Sequence, residues 1–289
     1  MEHLTPTPLP DVNAVLTELV RRLRQILGKN LVGVYLQGSF AVGDFTTTSD
    51  IDFMVIVESD TDGPTLEQLQ QMHSAFSQRT SYWPKHLEGS YAPAAIIRRL
   101  APEPRDPPGE SPRPAAWRDP GTGLPAKVYP FLFLGNGWDH LVRSEHDNTL
   151  VARWVVRERS IALFGPDPAS LIDRVSADEL RSEVRTNLSV YTAPYLAGNS
   201  VIDAVWMQSF FVTLLCRMLH TVCTGEIRSK RRGTEWALKT LPSKWHVLIE
   251  RAAATWAGSQ ERWMDQPQSD DVAATLEFMR YANDAVGTF

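Results

Sequence analysis

Two short apolar runs and the polar segment between them constrain this chain more than any other feature. Residues 31–36 form a β-rich run that stops at Gln37-Gly38-Ser39, and ten residues later Asp50-Ile51-Asp52 opens a second run. Residues 50–57 read Asp-Ile-Asp-Phe-Met-Val-Ile-Val, apolar on both faces after Asp52. That is the pattern of a buried central strand. Side chains two apart on a strand share a face, so Asp50 and Asp52 project together, roughly 7 Å apart along a backbone that rises ~3.3 Å per residue. Ile51 turns the other way, into the core. A Gly-Ser turn can hold a triphosphate, and two such carboxylates suit metals roughly 3.5–4 Å apart. Taken singly, either element is an ordinary strand end or turn cap. Their joint order between two strands points to nucleotidyl transfer.

The bulk properties set bounds. A chain of 289 residues can bury a sizeable core, and two domains are expected. Apolar content of 43% and charged content of 22% are those of a globular protein. A net charge of −5 argues against general polyanion binding and is compatible with a cationic substrate. Cys216 and Cys223 lie in one helical stretch with roughly 10 Å between their backbones, too far for a disulfide. With no signal-like N-terminus, a reduced, cytoplasmic setting is expected. The longest apolar stretch, 201–223, contains Asp203, Gln208, Arg217 and His220, each costly in lipid, so it reads as a buried bundle helix.

Periodicity lays out the elements. Asp11 can cap a first helix whose apolar positions run from Val12 to Leu27 at helical spacing and end at Gly28. Thr65-Leu66-Glu67-Gln68 resembles a capping box opening a helix through Phe76, with His73 beside its apolar face as a packing or surface residue. A third strand is expected over 85–91. Residues 101–125 hold eight of the twenty prolines and read as an extended or mobile surface insertion. Strand signal resumes at 127–134, where Pro130 suits a sheet edge. Helices are expected over 149–163, 178–190, 200–224, 234–240, 243–257 and 270–286. The fold class is therefore an α/β (α+β) N-terminal domain with a mixed sheet over 1–160, followed by an all-α bundle over 161–289.

Other nucleotide and metal motifs are missing. No Gly-x-x-x-x-Gly-Lys-Ser/Thr occurs, nor any His-Glu-x-x-His or Cys-x-x-Cys, so neither a P-loop nor zinc is expected. Gly135-Asn136-Gly137 lacks the third glycine and the helix context of a dinucleotide site.

The segment 31–57 resembles the signature of the nucleotidyltransferase superfamily. Arg157-Glu158-Arg159-Ser160-Ile161-Ala162-Leu163-Phe164-Gly165-Pro166 resembles the segment joining the two domains of the streptomycin/spectinomycin adenylyltransferases. Thr224-Gly225-Glu226-Ile227-Arg228-Ser229-Lys230, with Glu235-Trp236-Ala237 and Leu241-Pro242, resembles their C-terminal domain. The resemblance implies transfer of AMP from ATP, with two Mg²⁺ ions on Asp50 and Asp52, to a hydroxyl of a cationic aminoglycoside in an interdomain cleft of a monomer. It makes Glu88, 36 residues past Asp52, the general base, and places Gly38, Ser39, Arg217 and Lys230 on the nucleotide. On residues alone, Arg217 serves equally as a structural ion pair, and the run 228–232 as a solvated loop rather than a nucleic-acid patch.

Streptomycin-modifying relatives carry a tryptophan and two aspartates before the long helix. Here that stretch, 191–203, is longer and has no clear tryptophan-aspartate match. Asp203 can hold an ammonium there, and Tyr191 or Tyr195 can form a stacking wall. Two other functions fit the same motif: a nucleotidyltransferase acting on a protein or RNA, and a non-catalytic nucleotide- or drug-binding relative. The retained Gly38-Ser39, both aspartates and Glu88 speak against the second.

Overall fold

Apolar residues three and four apart determine where the first helix packs. In α1 (Pro10–Leu27), Val12, Leu16, Leu19 and Leu23 are all fully buried. Each such side chain contributes about 1.5–3 kcal/mol of burial. The structure is a computed structural model that describes residues 4–100, 129–258 and 260–287. The proline-rich 101–125 stretch lies outside the described residues. So do residues 127 and 128 of the strand expected over 127–134.

After α1 come β1 (Leu31–Leu36), a one-turn helix α2 (Gly38–Ala41) and β2 (Ile51–Val57). Next follow α3 (Gly63–Ser77), α4 (Tyr82–Lys85), β3 (Leu87–Pro93) and α5 (Ala94–Ile97). Beyond the undescribed stretch lie β4 (Phe131–Leu134), β5 (Val142–Ser144), α6 (Leu150–Arg159) and β6 (Ile161–Phe164). The six strands make one mixed sheet in the order β5-β4-β3-β2-β1-β6. Only β2 and β3 run parallel; every other pair is antiparallel.

Both faces of this sheet are covered, as the continuous apolar run of β2 requires. Ile51, Phe53, Val55 and Val57 join the core that α1 and α3 close, whereas Met54 and Ile56 join a second core with Tyr35, Ala92, Phe131 and Val156. Asp52 and Glu88 share the parity of Met54 and Ala92. Their side chains therefore leave the sheet on the face away from α1 and α3.

Several local expectations are corrected. Asp11 is not the cap of α1: Leu9 holds that position, Pro10 opens the helix, and Asp11 sits in the first turn. A proline is preorganised for that opening position. Thr65 is not a cap either, because α3 begins at Gly63 with Pro64 in its first turn. The helix expected to 163 stops at Arg159, and 161–164 instead pairs with β1 as an edge strand. The third strand begins two residues later than expected, at Leu87.

Compact packing divides the chain into Met1–Arg174 and Val175–Phe289. The second unit contains α7 (Ala177–Leu196), α8 (Val205–Thr224), α9 (Lys230–Thr240), α10 (His246–Ala257) and α11 (Ser269–Ala285). A capping box opens α7: Glu179 N–H donates to Ser176 Oγ, and Ser176 N–H donates to Glu179 Oε2. The helix expected from residue 200 starts at Val205. Among the described residues α8 alone is long and apolar enough to cross a bilayer, yet 72% of that window is buried inside the protein. It is the helix on which α7, α9, α10 and α11 all pack. Cys216 and Cys223 are both free thiols, and burial pushes the Cys216 thiol well up.

Candidate active site

The end of β1 decides the geometry of the turn that follows. Gln37 N–H donates to Asp52 O (2.9 Å), tying the exit of β1 to the start of β2. Gly38 then takes φ +64°, a backbone that L side chains rarely adopt. A Cβ on Gly38 would lie 1.8 Å from Asp52 Oδ2, so the bare glycine backbone is what lets the carboxylate rest against the turn. Ser39 Oγ is buried and has no hydrogen-bond partner among the described residues. A desolvated hydroxyl of that kind is costly unless a ligand atom meets it.

Parallel pairing of β2 with β3 brings in the third carboxylate. Asp52 is the register partner of Glu88, as Ile51 is of Leu87. Register partners on adjacent parallel strands lie about 4.8 Å apart and face the same way. Glu88 is therefore brought beside Asp52 although 36 residues separate them. Asp50 stands just before β2, two residues from Asp52 and partly buried.

The Glu88 carboxylate is 23% exposed, and its two oxygens have different neighbours. Asn136 N–H donates to Oε2 (3.1 Å), while His146 Nε2 stands 3.8 Å from Oε1. His146 stacks on Phe133, ring centroids 4.7 Å apart. Asn136 and His146 were not singled out as site residues from sequence. Glycines one and three residues beyond a strand end are a turn signal, and they could have flagged Asn136.

This donor set fits Mg²⁺ better than a caged ion. Among the described residues no three His, Cys, Asp or Glu side chains form a metal-binding group. Magnesium is ordinarily held by one or two carboxylates, with substrate phosphates and water completing its shell. Asp50 and Asp52 would supply the carboxylates.

The remaining predicted residues belong to the helical unit. Arg217 lies half-buried in α8 where α9 crosses it; a Cβ on Gly233 would come 2.7 Å from Arg217 Cα. Lys230 opens α9, its Nζ 3.9 Å from the Trp256 ring centroid and 4.8 Å from that of Phe210. That wall holds the ammonium by cation–π attraction. Arg228 pairs with Glu226, and Arg231 and Arg232 with Glu235, so these three guanidinium groups face carboxylates. Tyr195 packs edge-on against Phe211, and desolvation raises its hydroxyl pKa, with the charge of Asp203 adding to the rise. Desolvation also raises Tyr191, against the pull of Arg217 and with a push from Glu183. Asp203 itself is exposed in the segment before α8.

Of the two places expected for His73, packing or surface, the structure shows packing: the side chain is fully internal. It stacks on Phe53 and shares a 2.6 Å hydrogen bond with Tyr91 OH, and burial drives its pKa down to about 3. It is a neutral core residue on the α3 face of the sheet.

Comparison with known proteins places this geometry. Residues 16–91 match the nucleotidyltransferase domain model, and residues 170–282 match the model of the aminoglycoside adenylyltransferase C-terminal domain. Spectinomycin 9-adenylyltransferase of Staphylococcus aureus is 25% identical over 273 residues, covering 91% of this chain and 92% of that protein. An aminoglycoside (3'') (9) adenylyltransferase of Klebsiella pneumoniae is 27% identical over 106 residues, 37% of this chain and 38% of that one. The crystal structure of spectinomycin adenyltransferase AAD(9) from Enterococcus faecialis, with ATP and spectinomycin, superposes with a TM-score of 0.66. It is 16% identical and covers 94% of this chain and 98% of that chain, a likeness of fold.

Proposed function

We propose, for a chain that belongs to the aminoglycoside adenylyltransferase family, that it transfers AMP from ATP to a hydroxyl of a spectinomycin-type aminocyclitol antibiotic. The observation that carries the reading is the Asp52–Glu88 register beside the Gly38 turn, which sets two carboxylates side by side on one sheet face. The choice of acceptor rests on length of similarity. The spectinomycin relative aligns over 92% of its length, whereas the (3'') (9) enzyme aligns over 38%.

Two Mg²⁺ ions at Asp50 and Asp52 would neutralise the triphosphate and the departing pyrophosphate. Glu88 accepts the proton of the acceptor hydroxyl as that oxygen bonds to the α-phosphorus and the bond to pyrophosphate breaks. Ser39 Oγ and the amides of the Gly38 turn donate to the terminal phosphates. From the helical unit, Arg217 and Lys230 add positive charge to the nucleotide. Asp203, Tyr191 and Tyr195 meet the cationic acceptor, the first by charge and the tyrosines by their ring faces. Catalysis is chiefly positioning and electrostatic stabilisation, so the fixed placement of the carboxylates matters more than their basicity.

The test is pyrophosphate release by purified protein with ATP and Mg²⁺ against spectinomycin, streptomycin and other aminoglycosides. Release that depends on spectinomycin supports the proposal. Silence across the panel, with release on addition of an RNA or protein acceptor, would overturn it.

A further inference from the structure

The Gly135–Trp138 turn, an incomplete glycine motif in the sequence, stands against Glu88. Trp138 N–H donates to Gly135 O (3.0 Å), Gly137 has φ +77°, and no described non-glycine residue has positive φ. A positive φ at the third position alone makes this a type II turn. It follows β4, which pairs antiparallel with β3, so the sheet carries the turn to the end of the strand that bears Glu88. Within it the Asn136 amide donates to Glu88 Oε2 at 3.1 Å. The Asn136 side chain faces elsewhere: His86 Nδ1 donates to its Oδ1 (2.8 Å), and Tyr82 stacks on His86 with ring centroids 3.9 Å apart.

We propose that this turn is the positioning device of the general base: the Asn136 N–H holds Oε2 of Glu88 and so sets the plane of the carboxylate that meets the acceptor hydroxyl. The proposal rests on the assignment of Glu88 as base and adds what orients it. A glutamate has three side-chain torsions, and a carboxylate free to rotate presents the right lone pair only part of the time. One N–H bond to a charged oxygen is among the stronger hydrogen bonds, and it acts on Oε2 alone. His86 and Tyr82 brace the turn through the Asn136 side chain, leaving its amide to Glu88. Asn136 is a positioning residue, because it acts through Glu88.

The turn type supplies the variant. The second position of a type II turn favours proline, so Asn136→Pro keeps the turn while replacing the N–H with a ring methylene. We expect Asn136→Pro to lower kcat roughly ten- to a hundredfold, with both KM values and the melting temperature near wild type. Glu88→Gln, measured alongside, separates the two ideas: full turnover there would remove the base assignment itself. If Glu88→Gln is inactive yet Asn136→Pro turns over normally, the positioning role is wrong. It is equally wrong if the loss appears in KM alone. Should Asn136→Pro fail to fold, Gly137→Ala skews the same turn at a position with no neighbour within 4 Å. An unchanged kcat in that variant would also overturn the proposal.

Discussion

Replacing Gly38 with alanine should separate backbone strain from displacement of the Asp52 carboxylate. Two effects act at once. An L-residue at φ +64° costs about 1–2 kcal/mol. In a unit the size of Met1–Arg174, that lowers Tm by roughly 2–8 °C. The new Cβ would also stand 1.8 Å from Asp52 Oδ2, whereas ordinary contact begins near 3.4 Å. The carboxylate must then retreat by roughly 1.5 Å, and a misplacement of about 1 Å costs on the order of 100-fold in rate. That is about 2.7 kcal/mol on the barrier. Gly43 supplies the control: its φ is +69° but nothing lies within 4 Å of an added Cβ. Gly43→Ala should therefore lose a similar Tm and keep its turnover. Steady-state adenylyl transfer and thermal melts of both variants are the assay. Gly38→Ala turnover within threefold of wild type, or an equal loss in Gly43→Ala, would refute the reasoning.

Other perturbations have defined outcomes. Asp52→Asn should reduce Mg²⁺-dependent transfer by roughly a thousandfold while leaving the melt intact, since the site is local and charge-dependent; transfer at wild-type rate would remove Asp52 from the metal. His73 sets a pH dependence of stability. Its folded pKa of about 3 lies below its ordinary value of 6.5, so the unfolded chain takes up the proton first. Stability is then complete above pH 6.5 and falls as pH drops toward 3, by about 2 kcal/mol or roughly 4–8 °C in Tm between pH 6.5 and 5. Melts of His73→Gln across that window should be flatter than wild type, and parallel curves would contradict the burial argument.

The segment 31–57 was legible in the sequence because strand signals and their ends are local. The apolar runs at 31–36 and 50–57 needed no long-range information, although β2 begins at Ile51 and leaves Asp50 just outside the strand period that was read for it. What escaped was set by tertiary pairing. Residues 161–164 continue a helical pattern in sequence but pair with β1, because an edge of the sheet was open to them. The burial of His73 depends on β3 supplying Tyr91 as a partner, which no helical periodicity reveals. The role of Gly135-Asn136-Gly137 was hidden for the same reason. Its glycine spacing invited comparison with a dinucleotide site, but the antiparallel β3–β4 register is what brings the turn to Glu88. The resemblance of the C-terminal half named Arg217 and Lys230, while only the packing of α8, α9 and α10 placed the lysine over Phe210 and Trp256.

The central claim is that Glu88 takes the proton from the acceptor, and one comparison tests it most directly. Glu88→Gln and the wild-type protein are given ATP, Mg²⁺ and spectinomycin, with nucleotide affinity measured in parallel by titration. The account predicts that ATP affinity is kept while kcat falls by roughly 10²–10⁴, the usual contribution of a positioned general base. Unchanged turnover in Glu88→Gln would contradict it.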